Sequence, residues 1–409
     1  MVPSKRFPLL LILFAALMAG AGNGISIVAF PWLVLQRTGS ALDASVVAIA
    51  GTLPLLASML IAGAAVDFIG RRRVSMISDL LSGLSVAAVP VIAAAFGVQA
   101  INVAVLALLA AFGALFDPAG MTARESMLPE AATRAGWTLD HANSVYEAIF
   151  NLAYIVGPGI GGLLIATLGG INTMWVTAVT FCLSIAAIAL LRLEGAGRPD
   201  RTKLPDGIWS GIVEGLRFVW NNKVLRTLAV IDLVVTGLYM PMESVLFPKY
   251  FTDRNEPAQL GWVLMSLSIG GLIGALSYAV LSRHMKKRTT MLIAVLTLGV
   301  AMTVIAFLPP LPFILALCVI VGLVYGPIAP IYNFVMQTRA PKHLRGRVVG
   351  VMGSLAYAAG PLGLLVAGPL ADTAGLNATF LALSLPMLMI GVIAVGLASL
   401  HELDATPQL

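Results

Sequence analysis

The 409 residues are 59% hydrophobic and only 11% charged, and the mean hydropathy is +0.95. A soluble globular protein carries about a quarter charged residues, and a disordered chain combines low hydrophobicity with high charge, so both classes are excluded. A net charge of +6 raises the question of a nucleic-acid partner, and the position of the charges along the chain decides it.

Uncharged runs long enough to cross a bilayer follow one another along the whole chain. One crossing needs about 20 helical residues, so a longer run must turn back. The first half predicts six spans: one each at 7–36 and 44–66, a pair in 80–116 turning near 97–99, and a pair in 148–191 turning at Gly169-Gly170. The second half predicts six more: 227–247, 257–282, a pair in 289–338 around 308–312, and a pair in 348–400 around Asp372.

The basic residues predict the orientation of these spans. Twelve spans place both termini on one side, and the loops of that side hold 22 of the 25 lysines and arginines, leaving only Arg37, Lys249 and Arg254 on the other. The positive-inside rule therefore predicts cytoplasmic termini. Because topology explains the basic composition, no nucleic-acid partner is expected. The first apolar run is longer than the h-region of a signal peptide, so we expect it to be the first span.

The longest polar stretch lies mid-chain and divides the sequence. We predict an N-terminal six-helix bundle at 1–191, a cytoplasmic linker at 192–224, a C-terminal six-helix bundle at 225–400 and a short cytoplasmic tail at 401–409. Apolar residues recur at helical spacing within the linker: Trp209, Ile212, Val213, Leu216 and Trp220. This pattern favours a helix lying on the inner membrane surface, and the alternative is a solvated linker.

The two predicted bundles share sequence. The run LAYIVGP at 152–158 is matched by LAYAAGP at 355–361. A repeat of six plus six spans is typical of secondary transporters, in which the substrate site lies near the membrane midplane between the repeats. The predicted fold class is therefore an all-α integral membrane protein with twelve transmembrane helices in two pseudo-symmetric bundles.

A glycine- and arginine-rich motif joins the second and third spans in the run GAAVDFIGRRR, at 63–73. The glycines permit a tight turn, the acid faces the dipole of the next helix, and the arginines anchor at the inner headgroups. The run resembles the gating motif of the major facilitator superfamily, except that Phe68 stands where that family usually has arginine. The resemblance implies the fold of that superfamily and gating roles for Gly63, Asp67, Gly70, Arg71 and Arg72.

A second motif lies in the fifth span. Gly157 and Gly161 are four residues apart, so one helical face permits a close neighbour, and Pro158 bends the helix. With Gly162, these residues resemble the antiporter motif gxxxGPxxGG of drug exporters. The alternative is plain helix packing, because small residues at this spacing are common in membrane helices.

The resemblance extends over nearly the whole chain, residues 7–403. The segments 143–147, 240–251 and 344–350 resemble the Tap-type tetracycline and aminoglycoside multidrug efflux transporters. This implies a multi-pass protein of the bacterial inner membrane that confers antibiotic resistance by drug/proton antiport, driven by the proton motive force. Better-known drug–proton exporters carry a buried arginine in the fourth span, which the run 101–120 lacks. The proton relay must therefore be sought among the acids.

Acids inside membrane spans are costly and are functional candidates by default. Asp232 and Glu243 lie in the seventh span, eleven residues apart and hence within about 20° of one helical face. Burial disfavours the charged form of a carboxyl group, so either is expected to exchange a proton near neutral pH. The alternative is that Glu243 only reaches the outer water and that Asp232 is held by a neighbouring polar group. Glu147 of the fifth span is the third candidate, with a hydrogen-bonded polar stripe including Asn143 and Asn151 as the alternative.

Other polar and aromatic residues complete the predicted site. Asp79 and Asp117 fall near inner helix ends and are expected to pair with Arg71–Arg73 or Arg124. No histidine lies at cavity depth, so no metal site is predicted. Candidates for lining the substrate cavity are Asn23, Phe30, Tyr239, Tyr325 and Tyr332. The alternative for Asn23 is a hydrogen bond to a facing helix, and the alternative for the four aromatic residues is helix packing, which is the commoner role of such side chains.

The leading hypothesis is proton-coupled export of tetracycline, aminoglycosides and other amphiphilic or cationic compounds by alternating access. No cofactor is expected beyond the proton gradient; the partners are small-molecule drugs, protons and membrane lipid, and the working unit is a monomer. The alternative in the same fold is export of an endogenous lipid or metabolite. An enzyme is disfavoured because the sequence lacks H-E-x-x-H, G-x-S-x-G and phosphate-loop motifs, and a channel fits a repeat with Gly-Pro bends less well.

Overall fold

The computed structural model describes residues 6–193, 208–281, 284–341 and 344–404, and this part of the chain is helical without any strand. The first seven helices are α1 (Phe7–Thr38), α2 (Ala41–Ile69), α3 (Arg71–Phe96), α4 (Val103–Ala114), α5 (Asp117–Ala135), α6 (Leu139–Leu168) and α7 (Gly170–Leu190). The others are α8 (Ile208–Asn221), α9 (Lys223–Pro241), α10 (Phe247–Thr252), α11 (Pro257–Leu281), α12 (Lys287–Ile305), α13 (Leu311–Tyr325), α14 (Ile328–Arg339), α15 (Arg345–Ala374), α16 (Leu376–Gly396) and α17 (Ala398–His401).

The lengths of these helices match the predicted membrane spans. Within the described residues, eleven segments are long and apolar enough to cross a bilayer, and 41–56 of α2 forms a shorter apolar one. Each span is held mainly by its own backbone hydrogen bonds, which the hydrocarbon interior demands. The all-α membrane fold predicted from the sequence is confirmed.

Glycines end helices where the sequence predicts turns. Gly169 has φ of +80° between α6 and α7, and Gly375 has φ of +83° between α15 and α16. These values lie in a region that side chains with a Cβ rarely adopt, so glycine terminates each helix without strain. Each glycine N–H also donates to the helix it ends, Gly169 to Ile165 and Gly375 to Ala371.

Two of the predicted spans are interrupted helices. The fourth span, Val103–Ala135, consists of α4 and α5 with a break at Leu115 and Phe116. The tenth span, Leu311–Met336, consists of α13 and α14 with a break at Gly326 and Pro327. The second break contains Pro327, whereas the first is followed by Asp117 and then Pro118, which lies in the first turn of α5, where proline is tolerated.

The described residues group into two compact units. One comprises the described residues of 1–204 with 251–261, and the other comprises those of 205–250 with 262–409. In the first unit α1 packs against α6 and α7, and α3 packs against α7. In the second, α9 packs against α15, and α12 packs against α16.

The predicted linker helix is present as α8, Ile208–Asn221. Val213, Leu216 and Trp220 expose between 41% and 53% of their surface, whereas Val219 is fully buried. The side chains of Trp209 and Ile212 lie outside the described residues. An exposed apolar stripe of this kind is typical of a helix at a membrane surface, and the interfacial position stays a prediction.

Candidate functional site

The antiporter motif forms a close contact between two helices of the first unit. A Cβ placed on Gly157 of α6 would lie 2.8 Å from the Cα of Gly24 in α1, and one on Gly161 would lie 3.2 Å from the Cα of Ile25. Only glycine allows backbones to approach so closely. Pro158 lies inside α6 and packs against the same stretch, since its Cδ would be 3.2 Å from a Cβ placed on Gly24.

The last glycine of the motif has a different neighbour. Gly162 is buried against the start of α11, where a side chain in its place would meet the carbonyl oxygen of Pro257 and the Cα of Gly261. Residues 251–261 belong to the same compact unit as α6. The motif therefore makes two close contacts, one with α1 and one with residues 257–261 at the start of α11.

The repeated motif in α15 makes the equivalent contact inside the second unit. Gly360 lies against the side chain of Met240, and Gly363 lies against the carbonyl group of Gly237, both in α9. In each unit, a Gly-Pro helix thus packs through glycine against the first span of its own repeat. This internal repeat was visible in the sequence, but its packing partners were not.

The gating motif links three helices through its arginines. Arg71 donates to Glu130 Oε1 at 2.9 Å and to the Ser126 carbonyl at 3.0 Å, both on α5. Arg72 donates to the carbonyls of Ile188 and Ala189 at the end of α7, where a cation favourably meets the negative end of the helix dipole. Gly70, with φ of +96°, separates α2 from α3.

Two residues of the gating motif have side-chain positions outside the described part of the chain. Gly63 and Asp67 belong to α2, but the surroundings of their side-chain positions are not described. Their gating role stays a prediction.

A buried ion pair lies in the core of the first unit. Arg124 of α5 and Asp79 of α3 are each only 1% exposed at the side chain, with Nη1 of the arginine 2.9 Å from Asp79 Oδ1. Ser184 of α7 donates to Asp79 Oδ2 at 2.7 Å, and Ser75 accepts from Arg124 at 3.4 Å. Of the arginines that the sequence offered as partners for Asp79, Arg124 is therefore the one that forms the ion pair.

This pair also changes the interpretation of the fourth span. The uncharged run ends at Phe116, and the run 101–120 contains no arginine, so the sequence predicts no buried arginine in that span. The span continues through α5 to Ala135, however, and Arg124 is fully buried within it. The signal that could have found it is the acid on α3, since a buried charge requires a partner.

Asn23 and Asp117, which the sequence treats separately, are hydrogen-bonded to each other. Asn23 Nδ2 of α1 donates to Asp117 Oδ2 at 2.9 Å. Asp117 is the first residue of α5, at the break in the fourth span. The predicted cavity residue Asn23 is therefore part of a polar contact inside the first unit, and Asp117 does not make the predicted hydrogen bond to an arginine among the described residues.

In the second unit, Asp232 lies beside two of the predicted tyrosines. Its carboxyl group, half-buried on α9, interacts electrostatically with the hydroxyls of Tyr325 and Tyr332. The Tyr332 hydroxyl donates to the Leu228 carbonyl at 3.1 Å, one turn from Asp232. The break between α13 and α14 directly follows Tyr325, so an irregular part of the backbone adjoins this acid.

Glu243 lies in a π-helical turn, Met242–Leu246, that follows Pro241. It is within hydrogen-bonding reach of Tyr239, and Tyr239 in turn interacts electrostatically with Tyr325. Single π turns occur frequently at functional sites. The structure thus connects two predicted acids and three predicted tyrosines in one polar strip: Asp232, Tyr332, Tyr325, Tyr239 and Glu243.

The remaining predicted residues do not join these groups. Glu147 is exposed on α6, and its charged neighbour is Glu125 of α5. Asn143 is also exposed, while the Asn151 side chain lies outside the described residues. Phe30 is half-buried on α1. Within the described part of the chain, no group of three or more histidine, cysteine, aspartate or glutamate side chains is arranged to hold a metal ion.

Known proteins similar to this chain give its family. The model of the Major Facilitator Superfamily matches residues 12–364. The chain is 80% identical over 404 residues to the multidrug efflux pump Tap of Mycolicibacterium fortuitum, covering 99% of both chains. It is 68% identical over 405 residues to the multidrug efflux pump Tap of Mycobacterium tuberculosis, covering 99% of this chain and 97% of the other.

Solved transporters share the fold at low sequence identity. A peptide transporter POT in complex with sulfate superposes with a TM-score of 0.77 at 14% identity, covering 97% of this chain and 95% of the other. The nucleoside transporter NupG gives a TM-score of 0.74 at 12% identity, covering 95% of this chain and 98% of the other. The chain therefore belongs to the Major Facilitator Superfamily and is a multi-pass multidrug exporter of the Tap type in the bacterial inner membrane.

Proposed function

We propose that this exporter couples the outward movement of amphiphilic or cationic drugs, tetracycline and aminoglycosides among them, to the inward movement of protons. It works by alternating access, as a monomer with cytoplasmic termini, and uses the proton gradient without a cofactor. The observation that carries the proposal is the polar strip of the second unit, in which Asp232 and Glu243 adjoin three tyrosines.

The chemistry of the strip suits an exchange between a proton and a cation. An ionised carboxyl group in a poorly hydrated site attracts either one, and binding of the proton removes the charge that holds the cation. Tyrosine rings add apolar faces that accommodate cations of different shape, with hydroxyls that can donate to the carboxylates. A membrane potential of 100 mV supplies about 2.3 kcal/mol for each charge moved, which is enough to bias such a cycle.

The relatives support the substrate class. Two of them are named as multidrug efflux pumps, and a more distant one, 22% identical over 398 residues, is the macrolide efflux protein A of Streptococcus pyogenes. Drugs differing this much in structure are accommodated better by a loose aromatic site than by a fixed set of hydrogen bonds. Such a site tolerates differences in shape and polarity between drugs at the cost of specificity.

Transport in inverted membrane vesicles tests the proposal. We expect an imposed proton gradient, acid inside, to drive tetracycline accumulation, and we expect a protonophore to abolish it. Accumulation that persists after the gradient has collapsed would refute proton coupling. A second measurement adds cell-envelope lipid to the vesicles. If the lipid inhibits tetracycline transport while tetracycline leaves the transport of that lipid unchanged, the protein is instead an exporter of an endogenous compound.

A further inference from the structure

The fourth span is broken in the middle of the membrane segment, and an acid stands at the break. Phe116 has φ of −115° and ψ of 0°, which departs from helical values, and α5 begins at the next residue, Asp117. The tenth span is broken in the same way: Phe-Asp-Pro at 116–118 corresponds to Tyr-Gly-Pro at 325–327. Interruptions at corresponding positions of two repeats are the strongest sequence indication of a binding site in a transporter. Only the first half places a carboxyl group there.

The Asp117 carboxyl group is incompletely hydrogen-bonded. Oδ2 accepts from Asn23 at 2.9 Å, whereas Oδ1 is inaccessible to solvent and has no hydrogen-bond partner among the described residues. An ionised carboxylate accepts several hydrogen bonds, and a buried oxygen without a donor is costly. A proton or another cation at Oδ1 would relieve this cost.

A second buried group points at the same region. Arg124 lies seven residues after Asp117, two helical turns along the same face of α5. Its Nη1 donates to Asp79. Its Nε and Nη2 have no hydrogen-bond partner among the described residues, although the side chain is fully buried. Nη2 lies 3.7 Å from the Cβ position of Gly120, on the side towards Asp117. The Ser78 hydroxyl, also unpartnered within the described part, adjoins the same glycine.

The charges around Asp117 are few and can be counted. The membrane parts of α1, α2, α4 and α7 carry no charged residue in the runs 7–36, 44–66, 103–116 and 170–190. The charged groups close to Asp117 are Arg124 of its own helix and Asp79 of α3. From α6, Tyr146 lies close to Arg124, and the exposed Glu147 follows it. Asp79 and Arg124 balance each other, so ionised Asp117 leaves one uncompensated negative charge.

We propose that Asp117 is the proton-exchanging carboxyl group of the first half, with Asn23 as its positioning residue. A proton from water binds Oδ1 and makes the cluster of Asp79, Arg124 and Asp117 neutral; release of that proton restores one negative charge and strengthens the hydrogen bond from Asn23. Because Asn23 lies among Gly20, Gly22 and Gly24 on α1, this change acts on the helix that packs against the antiporter motif. The proposal rests on the proton-coupled function proposed above.

Two transport modes separate the proton role from a structural role. Tetracycline accumulation driven by a proton gradient requires proton exchange, whereas exchange of labelled for unlabelled tetracycline at equal pH does not. We expect Asp117→Asn to reduce gradient-driven accumulation to the level seen without a gradient while retaining tetracycline exchange. Asp117→Glu should restore part of the accumulation. Asp43→Asn is the matched control, since Asp43 also lies in the first turn of a helix, and it should behave as the unmodified protein.

Asn23→Ala provides a variant that keeps the carboxyl group. Loss of the amide donor removes a hydrogen bond that favours the anion, so the pH profile of gradient-driven accumulation should move to higher pH. A merely structural contribution of Asn23 would lower transport without moving the profile. This measurement remains informative if Asp117→Asn fails to reach the membrane.

The possible results are distinguishable. Gradient-driven accumulation that survives in Asp117→Asn, or an unmoved pH profile in Asn23→Ala, would overturn the proposal. Loss of both accumulation and exchange in Asp117→Asn, with tetracycline binding also lost, would assign Asp117 to drug binding and overturn the proton role. Accumulation by the unmodified protein that ignores the gradient would refute the proposed function itself.

Discussion

Arg124 binds Asp79 through a single nitrogen: Nη1 donates to both carboxylate oxygens, at 2.9 and 3.0 Å, in the dry core of the first unit. Two opposite charges buried in this way stabilise each other, but each destabilises the protein when the other is removed. The pair therefore holds α3 and α5 together and fixes the face of α5 that carries Asp117.

Removal of one partner of this ion pair should destabilise the protein strongly. We expect Asp79→Asn or Arg124→Gln to lower the free energy of unfolding by about 3 to 5 kcal/mol, because each leaves a buried group without its partner. The double variant should be more stable than the single variants would predict if their effects were additive. Unfolding of the protein in detergent by titration with SDS measures these differences. Strict additivity would show that the two side chains do not interact.

The glycine contact between α6 and α1 should tolerate no added side chain. A Cβ at Gly157 would lie 2.8 Å from Gly24, so Gly157→Ala should cost about 1 to 3 kcal/mol in the free energy of unfolding and reduce transport. Gly350→Ala in α15 is the control, since nothing lies within 4 Å of that position. Helix propensity alone should make the control variant more stable by about 0.5 to 1 kcal/mol. If the free energy of unfolding changes in the same direction in both variants, Gly157 does not have the proposed packing role.

The Arg71–Glu130 ion pair should matter for transport more than for stability. Its side chains are 34% and 39% exposed, and pairs of this kind contribute about 0 to 1 kcal/mol. We expect Glu130→Arg to slow tetracycline transport with little change in the free energy of unfolding, because it places two like charges between α3 and α5. Combining it with Arg71→Glu should restore transport. If the reversed pair transports no better than Glu130→Arg alone, this contact does not take part in gating.

The tyrosine beside Asp232 should tune its function. Tyr332→Phe removes the hydrogen bond to the Leu228 carbonyl, worth about 1 kcal/mol, and withdraws a hydroxyl from the neighbourhood of Asp232. We expect weaker proton-driven accumulation of tetracycline with the exchange of labelled drug retained. Tyr278→Phe in α11 is the control. If Tyr332→Phe and Tyr278→Phe accumulate tetracycline equally well, Tyr332 does not take part in proton coupling.

The sequence predicts the helices far better than it predicts their contacts. The turns at 97–99 and at Gly169-Gly170 follow from local polar and glycine patterns, and both are confirmed. By contrast, Asn23 and Asp117 are 94 residues apart, and Asp79 and Arg124 are 45 apart. A short stretch of sequence never contains both members of such a pair. A charged residue such as Arg124 is therefore interpreted as the end of a membrane span unless its buried partner is known.

The seventh span contains a backbone feature that the sequence does not predict. Helical spacing alone places Asp232 and Glu243 near one face, and the pattern gives no sign of the π turn after Pro241. That turn depends on how the helix packs, and it sets which side chains Glu243 meets. The sequence identifies the two acids and the three tyrosines as candidates, but only the packing of α9, α13 and α14 places them near one another.

Proton-driven tetracycline accumulation by the Asp232→Asn, Glu243→Gln double variant tests the proposed coupling most directly. In inverted vesicles, with Glu214→Gln on the exposed face of α8 as the control, we predict that the double variant loses accumulation and that the control retains it. Undiminished accumulation by the double variant, present in the membrane at the same level as the control, would contradict a coupling role for these two acids.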